Sequence, residues 1–128
     1  MTLNEILDKL TDDEIIEIVY SLGADRHEIT DNAIIFPTIC HNEESEDASM
    51  KLYYYTENKK FHCYTECDCN FNLFSLIEKV FILRGGNKVD KKEDKKNPND
   101  FYFYDIVLYL SNYVKDQSFF EFDKKKDN

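Results

Sequence analysis

The chain has no tryptophan, only three glycines and only two prolines among its 128 residues. No glycine-rich phosphate loop is present, and neither a His-Glu-x-x-His pair nor a Ser-His-Asp signature occurs, so no catalysis is expected from this chain alone. Long apolar runs are missing as well. Nothing approaches ~18 consecutive apolar residues, which excludes a transmembrane helix. The opening Met1-Thr2-Leu3-Asn4-Glu5 lacks the basic and apolar regions of a secretory leader, so a cytoplasmic chain with reduced thiols is expected. Positive charge is scarce overall, and the formal net charge is −10. The deficit is uneven. Residues 1–50 carry thirteen acids and two bases, residues 51–100 carry ten bases and eight acids, and residues 101–128 carry four bases and five acids. The total argues against indiscriminate nucleic-acid binding but leaves a local basic surface after residue 50. Acidic pairs such as Asp12-Asp13 and Glu43-Glu44 are explained by helix capping and solvation.

Aromatic residues are abundant, with nine Tyr and ten Phe. All four cysteines fall between Cys40 and Cys69. Cys40-His41 closes one stretch that reads as a strand. Phe61-His62-Cys63 closes another and runs into Cys67 and Cys69. Thiols and imidazoles supplied by two knuckles far apart in sequence are what a tetrahedral structural zinc requires. Cys63 and Cys67 have three residues between them, within the usual range for such a pair. Cys63 and Cys69 have five, so Cys69 is a spare thiol or a substitute ligand. Cys40 and His41 are adjacent, and adjacent side chains of an extended chain point to opposite faces. Both reach one ion only if the backbone bends there. His62 neighbours Cys63 on a strand and is expected to point away. Four protein ligands close the site, so the ion would hold shape and leave no position for a reactive water.

The periodicities predict an α+β fold: a small antiparallel sheet forming a zinc ribbon, packed with N- and C-terminal helices. Leu3, Ile6, Leu7 and Leu10 give a short amphipathic helix. Thr11 and Glu14 form a capping box for a second, whose apolar side is Ile15, Ile16, Ile18 and Val19 and which ends at Leu22-Gly23. Strands are expected around Ile29-Thr30, Ala33 to Phe36, Lys51 to Thr56 and Phe61 to Tyr64, with a hairpin turn at Glu57-Asn58-Lys59-Lys60. A helix over 72–83 is capped by Asn72. A charged loop follows over 88–99, then a helix over about 104–115 and a disordered tail over 120–128. The expected unit is a single domain of residues 1–119 with its ribbon core at 36–77.

The run Cys40-His41-Asn42-Glu43, then Phe61-His62-Cys63-Tyr64, then Asn72-Leu73-Phe74-Ser75-Leu76 resembles the N-terminal zinc-binding domain of bacterial and phage DNA primases. The order of elements is similar over roughly residues 12–115, and the likeness is specific across 36–77. The resemblance implies structural zinc on Cys40, His41, Cys63 and Cys67. The family keeps two residues between the Cys and His of its first knuckle, where this chain has none. It usually keeps two between the cysteines of its second, where this chain has three. These departures imply a divergent phage or mobile-element branch. The resemblance further implies contact with single-stranded DNA template, and a separate polymerase domain that carries out the synthesis. It implies no polymerase activity in this chain itself.

The sequence offers a surface for that role. Lys51, Tyr53 and Tyr55 alternate onto one face of a strand, with Lys59 and Lys60 at the hairpin tip. Cations beside aromatic platforms are how single strands are held. The competing reading is that these tyrosines cover a small core. A rival function follows from the acidic first half of the chain, which would repel DNA and suits a zinc-stabilised module that binds a basic protein partner such as a replicative helicase or polymerase subunit.

Overall fold

A computed structural model describes residues 3–44, 48–90 and 97–113. The elements run α1 (Leu3–Lys9), α2 (Asp12–Ser21), β1 (Glu28–Ile29), β2 (Ala33–Phe36), β3 (Leu52–Tyr55), β4 (Lys60–Cys63), β5 (Asn70–Phe71), α3 (Leu73–Leu83) and α4 (Phe103–Ser111). The five strands form one antiparallel sheet in the order β1-β2-β3-β4-β5. The α+β architecture with a small antiparallel sheet and helices at both ends is the one the periodicities predict. None of the described helices is long and apolar enough to cross a membrane.

Local chemistry fixes the element ends. The Thr11 hydroxyl accepts from the Glu14 N–H at 3.2 Å, and the Glu14 carboxylate accepts from the Thr11 N–H at 3.0 Å. This reciprocal box starts α2 with only Leu10 and Thr11 between it and α1. The Asn72 side chain accepts from the Ser75 N–H at 2.9 Å and starts α3 in the same manner. Between β3 and β4 the hairpin closes through Lys59, which sits in the left-handed region at φ 59° and donates its N–H to the Tyr55 carbonyl at 2.9 Å. The buried Asp100 carboxylate accepts from the backbone N–H groups of Asn87 and Asn97, each at 3.1 Å, tying the segment after α3 to the approach of α4.

The period-two pattern of β3 and β4 separates two faces, whereas all four residues of β2 are buried. Ile34, Phe36, Leu52, Tyr54, Phe61, Cys63 and Phe71 point inward and share one core with Ile18 and Val19 of α2, Leu76 and Ile77 of α3, and Ile106 and Leu110 of α4. Tyr53, Tyr55 and His62 take the alternate positions and are half-buried on the outer face. Strand β5 is absent from the sequence-based expectation. It has two residues, of which only Phe71 is buried, too short for an alternation to register. The C-terminal helix begins one residue before the expected start and ends at Ser111. Residues 114–115, the middle of the charged loop (91–96) and the tail over 120–128 lie outside the described residues.

Candidate metal centre

The two knuckles meet at one end of the sheet. Residues Thr38 to Asn42 leave β2 in a tight turn, in which the N–H groups of His41 and Asn42 both donate to the Thr38 carbonyl, at 3.3 and 3.1 Å. That turn is the bend the sequence demanded. It replaces the opposed directions of an extended pair and lets Cys40 and His41 face the same side. Cys63 is the last residue of β4 and lies on the inward face. The loop 64–69 then folds back, and the Cys63 N–H donates to the Cys69 carbonyl at 3.3 Å.

Cys40, His41, Cys63 and Cys67 each offer a ligand atom, and these atoms lie within 4.8 Å of one another. Cys40 and Cys63 are buried, and His41 and Cys67 half-buried. The Cys40 and Cys67 sulfurs are 3.6 Å apart. A tetrahedron with metal–sulfur bonds of about 2.3 Å has an edge of about 3.8 Å, so the spacing fits a shared ion. Three thiols and one imidazole are a soft donor set, suited to zinc rather than to magnesium or calcium. These four side chains could therefore bind a metal. Cys69 is exposed and stands outside the cluster; His62 lies on the outer face, where its Nδ1 meets the Asn70 side-chain oxygen.

Sequence reasoning missed the residues that hold the ligands. The Thr65 hydroxyl lies 2.8 Å from His41 Nε2 and 3.3 Å from Cys63 Sγ, bridging the two knuckles. On the other side of the ring, Nδ1 faces the Asn42 amide at 3.0 Å and the Glu66 carboxylate at 3.5 Å. Partners of this kind orient a ligating imidazole. The thiols are not equivalent. Burial pushes the Cys40 thiol well up, helped by its two cysteine neighbours. Burial also raises Cys67, against a hydrogen bond with Cys40. For Cys63 burial acts upward too, but hydrogen bonds from Thr65, the Cys67 backbone and Cys40 together outweigh it and bring the thiol down to about 6.

The other predicted site residues fall around the outer face of β3 and β4. Tyr53 stands opposite His62 and Tyr55 opposite Lys60. Tyr64, just past β4, packs edge-on to Tyr53 at 4.9 Å and against His62 at 4.1 Å, and its hydroxyl bonds that of Tyr55. Lys51, Tyr53 and Tyr64 line an open cavity of about 380 Å³. Lys51 and Lys60 are exposed. Lys59 is not brought to this group: its ammonium donates to the Asp8 carbonyl at the end of α1. Tyr64 and His62 were legible in principle. They share the parity of Tyr53 and Tyr55 once the β3–β4 register is set.

Over 85 residues the chain is 38% identical to the SPbeta prophage-derived uncharacterized protein YorJ of Bacillus subtilis (strain 168). The match takes in 66% of this chain but 22% of the relative. The chain spans about a fifth of that relative's length. No family model matches the chain, and no solved structure matches it.

Proposed function

We propose that residues 1–119 form a zinc-stabilised domain that holds single-stranded DNA template for a primase-like phage protein. Zinc is bound by Cys40, His41, Cys63 and Cys67 and serves structure alone. The observation that carries the metal reading is the convergence of those four ligand atoms within 4.8 Å from two knuckles more than twenty residues apart. The nucleic-acid reading rests on the outer face. Tyr53, Tyr55 and Tyr64 supply ring surface, and Lys51 and Lys60 supply charge at its two ends. The prophage relative supports a phage setting, and the four fifths of it outside the match leaves room there for other domains.

Two measurements test the two halves. Metal content is compared in the wild type, His41→Ala, Cys67→Ala and Cys69→Ala. Loss of the ion in the first two variants and retention in Cys69→Ala is expected. Retention in His41→Ala with loss in Cys69→Ala would reverse the ligand set. Labelled single-stranded DNA is then titrated into metal-loaded protein. Tyr53→Ala and Tyr64→Ala should each weaken binding by about 1–3 kcal/mol without changing zinc content.

A second reading has its own support. Glu5, Asp8, Asp12, Asp13 and Glu17 are all exposed on α1 and α2, which pack on the opposite side of the sheet from the tyrosines. A zinc-stabilised module that docks a basic surface of a replication partner, such as a helicase or polymerase subunit, would use that side. Zinc-loaded protein that fails to bind DNA even at low salt favours this reading over the first.

A further inference from the structure

The Cys40 and Cys67 sulfurs are 3.6 Å apart. They differ in access. Cys40 is buried, whereas Cys67 is half-buried at the rim of the cluster. Cys63, the remaining thiol of the set, is fully buried and engaged by the Thr65 hydroxyl. A small hydroperoxide arriving from solvent therefore meets Cys67 before the others, and the Cys40 sulfur lies within 3.6 Å of it.

We propose that this pair is a peroxide-reactive site that closes into a Cys40–Cys67 disulfide and expels the ion. As a ligand of the ion Cys67 is a thiolate, and it attacks one oxygen of the hydroperoxide. The O–O bond breaks, hydroxide leaves and takes up a proton as water, and Cys67 becomes a sulfenic acid. The Cys40 sulfur displaces that hydroxyl, forming the S–S bond and releasing water. Overall two thiols and one hydrogen peroxide give one disulfide and two waters. His41 and Cys63 are left as the only ligands of the set, too few to retain zinc. The new bond joins residues 27 apart in sequence. A covalent link of that span restrains the unfolded chain, so it holds the knuckles together after the ion has gone.

The expulsion step and the Cys67 thiolate rest on the zinc reading above, whereas the close approach of the two sulfurs does not. The test uses full-length zinc-loaded Cys69→Ser protein, which removes the exposed thiol outside the cluster. It is treated with hydrogen peroxide while a chromogenic chelator reports free zinc. Peptide mapping under non-reducing conditions then locates any bridge. The expected result is loss of two hydrogens per chain, one bridge between the Cys40 and Cys67 peptides, stoichiometric zinc release, and reversal of both by dithiothreitol with added zinc. A bridge that includes Cys63, or overoxidation without any bridge, overturns the proposal. Zinc retained after peroxide overturns the expulsion step. Protein that carries no zinc at the outset refutes the metal reading instead. The same peptide map on that protein still decides the pairing.

Discussion

Three thiols share one small volume, yet they titrate in opposite directions. In the metal-free chain Cys63 is a thiolate above about pH 6, whereas Cys40 and Cys67 keep their protons well past neutrality. Ion uptake at neutral pH should therefore release protons chiefly from Cys40 and Cys67, two per ion. Uptake below about pH 6 should release a third. A pH indicator in weakly buffered solution measures the count. The same shifts set the stability of the metal-free form. The folded Cys63 thiol titrates below its ordinary 9.0, so its ionisation contributes fully above pH 9 and is lost as pH falls through about 6. The raised thiols act with the opposite sign, because above pH 9 the unfolded chain ionises them first. Urea midpoints of the metal-free wild type should thus rise between pH 6 and 9. In Cys63→Ser that rise should shrink. Thr65→Val, which removes the hydroxyl that Cys63 accepts from, should move the thiolate absorbance step to higher pH.

At the level of single elements, most of the chain announced itself. The Thr11–Glu14 box, the Asn72 cap and the alternation of Leu52 to Tyr55 are local signals, and local rules read them. Asn72→Ala should cost about 1 kcal/mol in a denaturant titration, since it orphans the Ser75 N–H in the first turn of α3. The sites that resisted reading depend on contacts between elements. Residue spacing offered Cys40, His41, Cys63 and Cys67 with Cys69 as a substitute, and the resemblance implied the first four. Thr65, Asn42 and Glu66 became visible only when the turn at Thr38–Asn42 brought one knuckle onto the other. Lys59 shows the reverse. Position placed it at the hairpin tip with Lys60, but its left-handed backbone turns its side chain toward Asp8. Lys59→Gln should accordingly leave DNA affinity almost unchanged, whereas Lys51→Gln and Lys60→Gln together should flatten the salt dependence of log affinity by about 1.4.

Across the whole molecule, the metal centre lies at the edge of a core that it does not fill. Cys40 and Cys63 join that core, but its bulk is Phe36, Tyr54, Phe61 and the inward faces of α2, α3 and α4. Zinc is worth on the order of 10–16 kcal/mol in small fingers that have little else to hold them. Here chelation should lower the melting temperature sharply yet leave most of the helical circular dichroism at room temperature. Amide exchange should accelerate first at residues 38–42 and 63–69. The plain order of the sheet has a further effect, on the path by which the chain reaches this state. Every strand pairs with its neighbours in sequence, so each hairpin can zip on its own within microseconds, before distant parts of the chain have met. Capture of the ion is then the final event. Added zinc should leave the refolding rate in stopped-flow nearly constant and slow the unfolding rate instead, so the ion acts as a brake on escape rather than as a seed.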